Sequence, residues 1–117
     1  MFIDSCRVMW DRADDGVRQA QLVGELDLAC AGAVRDELLA GAARYRELVV
    51  DLSRLTFIDA RGIAMLVAVA ADLQGRGGRL ELHRARPFQR RLLAAVGLED
   101  MLDEPEAAVI ELPPSAG

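Results

Sequence analysis

The stretch Asp51–Leu66, DLSRLTFIDARGIAML, decides the reading of this chain. Just before it, Leu48-Val49-Val50 is an unbroken apolar run closed by Asp51, which fits a central strand buried on both faces. Leu55 to Ile58 lead to Asp59, and from Ala60 the apolar residues take up helical spacing. Ile63, Leu66, Val67, Ala70 and Leu73 follow the i, i+3, i+4, i+7 rule and are expected to face a sheet. Asp59, at the strand-to-helix turn, is a good N-cap, able to accept from the N–H of Arg61 or Gly62. A buried strand feeding a capped amphipathic helix is the repeating unit of an α/β fold.

The flanking segments extend that pattern in both directions. Upstream, Phe2, Cys6, Val8 and Trp10 share one parity, as a half-buried strand requires. Asp15-Gly16 within Arg12–Gly16 supplies the positive-φ geometry of a hairpin turn into a second strand, Val17 to about Gly24. From Ala29 to Arg44, Val34, Leu38, Leu39 and Ala42 recur about once per helical turn. Downstream, Gly75, Gly77 and Gly78 end the central helix, and Leu80 and Leu82 alternate with Glu81 and His83 as a strand. Pro87 opens a helix in which Phe88, Leu92, Leu93 and Val96 are expected inward and Gly97 is the stop. A last short helix is expected from Pro105, carrying Ala108, Val109 and Leu112.

The predicted order is β-β-α-β-α-β-α-α. It describes an α/β fold: a mixed β-sheet with an N-terminal hairpin and helices packed against it. One domain over residues 1–112 and a loose tail over 113–117 are expected.

Composition narrows the function. The 117 residues are 52% hydrophobic, enough for a core without disulfide or metal staples. The longest uncharged run, Gly62 to Ala71, is about half of the ~20 residues needed to span a bilayer. The N-terminus lacks the features of a secretory signal, so a cytoplasmic protein is expected. The net charge of −5 argues against nucleic acid or an anionic membrane as the main partner. All 14 basic residues are Arg, and Arg76 to Arg91 form a basic stretch ahead of an acidic tail from Glu99 onward. Cys6 and Cys30 lie far apart with no CxxC spacing, and are read as buried fillers rather than a disulfide or redox pair. With His83 they are the only soft metal ligands, so no metal site is expected.

Catalytic constellations are not in evidence. The Gly75–Gly78 cluster closes a helix, whereas a phosphate loop opens one. There is no Gly-x-Ser-x-Gly elbow for a serine hydrolase. Asp51 and Asp59 resemble the acceptor cluster of a receiver domain, but the chain holds no lysine to sit by a phosphoryl group. No enzyme, catalytic residue or cofactor is expected. The turn itself suggests binding. Gly62 removes a side chain where a partner's backbone could approach, beside an exposed Arg61. Met65 and Val69 fall off the predicted core stripe, so Arg61, Met65, Val69 and Asp72 are expected to form a surface strip with an apolar middle.

DLSRLTFIDARGIAML resembles the central signature of STAS domains, the family of anti-sigma factor antagonists and of the cytoplasmic tails of sulfate transporters. Gly24-Glu25-Leu26-Asp27 is similar to the family's second motif, at the tip of the strand leading into the first helix. The LELHRA strand and LLAAVGLEDML helix occupy the expected places, and the resemblance covers about residues 2 to 112. It implies a bacterial, non-enzymatic regulator of transcription that binds an anti-sigma factor of the serine-kinase type. The motifs and the surface strip together give the expected partner-binding residues: Glu25, Asp27, Asp59, Ala60, Arg61, Gly62, Met65 and Val69. In the antagonists the residue after the motif aspartate is a Ser or Thr that the kinase phosphorylates. Here it is Ala60, so that switch is expected to be absent. Ser53 and Thr56 lie before the turn and do not match the acceptor position. Two alternatives stand: a structural subunit docking on a transport or lipid-trafficking ATPase, and a module binding a nucleotide or other small ligand. Self-association into a homodimer is compatible with any of them.

Overall fold

The computed structural model describes residues 6–103. The elements are β1 (Cys6–Asp14), β2 (Val17–Leu26), α1 (Ala31–Gly41), β3 (Glu47–Asp51), β4 (Leu55–Ile58), α2 (Ala60–Gly75), β5 (Arg79–His83) and α3 (Pro87–Ala95), then a 3-10 turn over Glu99–Met101. The opening hairpin forms as the sequence predicts. Asp15 and Gly16 have φ of 47° and 81°, a two-residue turn whose twist matches that of the antiparallel strands it joins.

β2 is the centre of the sheet. β1 pairs antiparallel along one side of it, and β3 and β4 pair parallel along the other. β3 takes the first half of β2 (Val17–Gln21) and β4 the second (Gly24–Leu26). They are one lane interrupted by a turn, in which Asp51 Oδ1 accepts from the Ser53 N–H at 2.7 Å. The sequence reading carries no strand at β4. It is short, and its buried ends enclose the exposed pair Thr56-Phe57, so it shows neither alternation nor a continuous apolar run. β5 pairs parallel with β3 and makes one further parallel bridge, Leu82 to Leu102. Beside β4, where β5 does not reach, the first turn of α3 takes over: buried Gln89 donates its Nε2 to the Leu55 carbonyl at 2.9 Å.

The core lies on one face of the sheet. Ala20, Leu22 and Leu26, Leu48 and Val50, and Leu80 and Leu82 are buried under α1 and α2. The alternate residues, Gln19, Gln21, Val49, Asp51 and His83, lie on the opposite, open face. β3 is therefore not buried on both faces. Its apolar run arises because Val49 is tolerated half-exposed between two buried neighbours.

Two helices are phased differently from the prediction. α2 buries Gly62, Met65, Leu66, Val69, Ala70 and Leu73, while Val67 is 40% exposed. The expected surface strip through Met65 and Val69 does not exist: both side chains are core. The reason is that α2 packs against α1 as well as the sheet, so its buried arc is turned towards α1. In α3, Gln89 and Leu93 are buried whereas Phe88, Leu92 and Val96 are exposed. The α3 backbone sits at the sheet edge, and the polar Gln89 points inward because its amide meets the unpaired side of β4. Phe2 and the helix expected from Pro105 lie outside the described residues. Among the described residues, no helix is long and apolar enough to cross a membrane.

Candidate functional site

The site is built where β2 and β4 end side by side. Leu26 pairs with Ile58, so the residues that follow, Asp27 and Asp59, leave the sheet as neighbours. Asp59 is extended (φ −109°, ψ −173°) and caps α2, with Oδ1 accepting from the Gly62 N–H at 2.9 Å. Its Oδ2 accepts from the Leu28 N–H at 3.1 Å, and its own N–H donates to the Leu26 carbonyl at 3.1 Å. Asp27 organises the other turn. Its Oδ1 accepts from the Ala29 N–H at 3.1 Å, and its carbonyl accepts from the N–H of Cys30 and of Ala31. Both carboxylates are thus engaged by backbone N–H groups of the two turns. Their role in this geometry is to set backbone shape.

Gly62 is small for an internal reason. A Cβ there would lie 2.7 Å from the Leu26 carbonyl oxygen and 2.8 Å from Ile58 Cγ1. The position is buried against the chain's own β2 end, so the expected approach of a partner's backbone at Gly62 does not hold.

Of the eight residues singled out from the sequence, Glu25, Asp27, Asp59, Ala60 and Arg61 come together at one end of the molecule with at least part of their surface open. Gly62, Met65 and Val69 are buried behind them. The structure adds Leu28, which is 63% exposed although large and apolar. It stands beside a shallow groove of about 210 Å³ between α1 and α2, whose walls include Ala31, Arg35, Arg61, Ala64 and Ala68. Leu28 was readable as an apolar residue in a turn anchored by Asp27, where no strand or helix can bury it. Arg35 and Ala64 needed the α1–α2 crossing. A larger concavity, about 420 Å³, lies on the open sheet face and includes Gln19, Gln21, Asp51, His83 and Arg84. It is separate from this turn.

The surface offers little chemistry of bond-making. Ala60, at the first helical position of α2, has no hydroxyl. Thr56 donates its Oγ1 hydroxyl to the Gly24 carbonyl at 3.1 Å, and Ser53 lies in the β3–β4 turn. Among the described residues, no three His, Cys, Asp or Glu side chains are placed to hold a metal ion. The arrangement presents an apolar residue, a methyl group, arginines and the exposed carboxylate side chain of Glu25 on rigid turns. That is a surface suited to recognising another protein.

A mixed sheet in this connectivity, with a capped turn opening the helix after β4, defines a STAS-type domain. A family model described as "Mlab, STAS domain" matches residues 5–103, and the chain belongs to that family. The chain is 27% identical over 85 residues to the anti-sigma-B factor antagonist of Bacillus subtilis (strain 168), covering 73% of this chain and 78% of that one. The crystal structure of an anti-sigma factor antagonist from Mycobacterium paratuberculosis superposes with a TM-score of 0.72 at 27% identity, over 91% of this chain and 92% of that one. The unphosphorylated form of the anti-sigma factor antagonist SpoIIAA gives a TM-score of 0.72 at 20% identity, over 88% and 93%, a likeness of fold. The antagonist-like fold supports a regulatory, protein-binding role.

Proposed function

We propose that this protein is a cytoplasmic, non-enzymatic regulator of the anti-sigma factor antagonist type. It binds an anti-sigma factor of the serine-kinase kind through the end of the molecule carrying Glu25, Asp27, Leu28, Asp59, Ala60 and Arg61. One observation carries this reading: the Asp59 carboxylate bonds to both Leu28 and Gly62, so the two motif turns form a single rigid exposed surface. With Ala60 at the start of α2, that surface has no acceptor hydroxyl at the position where a phosphate would bring about two negative charges beside Asp59. Binding is then not released by the kinase's own reaction.

The test mixes the protein with the kinase-type anti-sigma factor of the same genome, with and without ATP. The expected result is a stable complex by size exclusion and an unchanged intact mass for this protein. Ala60→Ser should gain one phosphate and lose the complex. Phosphate on Ser53 or Thr56 of the wild type overturns the unswitched reading.

A second reading is compatible with membership of the STAS family. It makes the chain a structural subunit docking on a transport or lipid-trafficking ATPase. An Ala60→Ser variant that is never phosphorylated, together with co-purification of an ATPase subunit, selects it.

A further inference from the structure

The two cysteines, distant in sequence, meet in the fold. Cys6 opens β1 and stands opposite Gly24 in the antiparallel register. Cys30 precedes α1, and its Sγ lies 3.3 Å from the Glu25 carbonyl oxygen and 3.6 Å from Asp27 Oδ1. Glu25 is the next residue after Cys6's cross-strand partner, and Gly24 has no side chain to stand between the sulfurs. Both cysteines belong to the core cluster on the helix-covered face; besides burial, the charge of Cys30 raises the Cys6 thiol, and a hydrogen bond with Cys6 lowers Cys30. Cys30 occupies the N-cap position of α1 without making a side-chain cap bond, where Ser, Thr, Asp or Asn is the ordinary choice. Capping therefore does not account for a cysteine there, whereas a facing thiol does.

We propose that Cys6 and Cys30 form a reversible intramolecular disulfide, which fastens β1 to the start of α1 across the Gly24–Asp27 tip. With a hydroperoxide as oxidant, the Cys30 thiolate attacks one peroxide oxygen. The O–O bond breaks, hydroxide leaves and Cys30 becomes a sulfenic acid. The Cys6 sulfur then attacks the Cys30 sulfur, the S–O bond breaks, and the Cys6 proton departs with the oxygen as water. With hydrogen peroxide, two thiols are oxidised to one disulfide and the peroxide is reduced to two waters. Exchange with a dithiol reverses the bond. Burial raises both thiols, Cys6 to about 12, which makes the oxidation slow. A bond made slowly and removed by reductant is of the transient, sensing kind that reducing compartments allow. This inference does not rest on the identity of the binding partner.

The experiment exposes the full chain to hydrogen peroxide for hours at about pH 8.5, where the raised thiols are ionised only slightly and the reaction is slow. Remaining thiols are then alkylated with N-ethylmaleimide, and intact mass and a non-reducing peptide map are recorded. The expected product is a monomer lighter by two hydrogens, with a Cys6–Cys30 cross-linked peptide. Alkylation at each cysteine should fall at least tenfold and be restored by dithiothreitol. Because these are the only two cysteines of the chain, the assignment needs no mutant. Cys6→Ser should leave Cys30 to progress to sulfinic acid. Wild-type cysteines that both remain alkylatable, a disulfide between two chains, or oxidation of one cysteine with the other free would each overturn the proposal.

Discussion

Asp59 holds Leu28: its Oδ2 accepts from the Leu28 backbone N–H at 3.1 Å while Oδ1 accepts from Gly62 at 2.9 Å. Residues 31 positions apart are joined by one carboxylate. The same side chain that starts α2 therefore fixes the turn before α1, and the exposed Leu28 side chain is displayed on it. A cap confined to its own helix would leave the two motifs free to move separately.

Asp59→Ala should lower stability by about 1–2 kcal/mol, from loss of an N-cap and of one charge-assisted bond between turns. Urea unfolding followed by circular dichroism measures it. Asp59→Asn keeps an acceptor for Gly62 but cannot offer a second one to Leu28, and should fall between wild type and alanine. An alanine variant as stable as the wild type would mean that the carboxylate does not join the turns.

Gly62→Ala sets two effects against each other. Helix propensity favours alanine by about 1 kcal/mol. Overpacking costs about 1–3 kcal/mol, and the obstacle here is a backbone carbonyl at 2.7 Å, which cannot swing aside. The net result should be destabilising. Gly75→Ala, with no atom within 4 Å of its added Cβ, should instead be neutral or stabilising by a few tenths of a kcal/mol. Paired denaturation curves with opposite signs are the expected outcome.

Leu28→Glu and Met65→Glu separate surface from core. Leu28 is 63% exposed, so its glutamate variant should fold normally and bind the partner more than tenfold weaker, about 1.4 kcal/mol. Met65 is 4% exposed, so a charge there should unfold the protein or cost several kcal/mol. Calorimetric titration of the first variant and circular dichroism of both are the measurements. A folded Met65→Glu protein would contradict the packing of α2 on α1.

Alkaline pH should weaken the fold through Cys6. Its thiol is pushed from an ordinary 9.0 up to about 12, first by burial and then by the charge of Cys30. Between those values the folded state holds a proton that the unfolded chain has released, so stability falls as pH rises through the window. The contribution is fully present below pH 9. Thermal melts from pH 8 to 11 should decline more steeply for wild type than for Cys6→Ala. Parallel slopes would show that Cys6 ionises freely in the folded state.

Much of the architecture was legible because it is local. The Asp15-Gly16 turn, the apolar parity of β1 and the helix start at Asp59 each depend on a few adjacent residues. The errors share one cause. α2 was phased on its own apolar residues, and Val67 belongs to that set as well as Met65 does. Only the position of α1 turns the buried arc towards Met65 and Val69. In α3, the inward Gln89 contradicts hydropathy because its partner, the Leu55 carbonyl, lies 34 residues away in β4. β4 itself has no pattern of its own and exists because β2 offers it an edge.

The sequence by itself determined the hairpin, the helix starts and the two motifs, Gly24–Asp27 and Asp51–Leu66, since turn chemistry, capping and periodicity act over a few residues. It also determined that Ala60 has no hydroxyl to accept a phosphate. The tertiary structure alone decided which apolar residues are surface, that Gly62 is closed off by Leu26, and that Cys6 meets Cys30. Those outcomes depend on distances between segments far apart in the chain, and are set only when the sheet brings the ends of β2 and β4 together and α1 and α2 share one face.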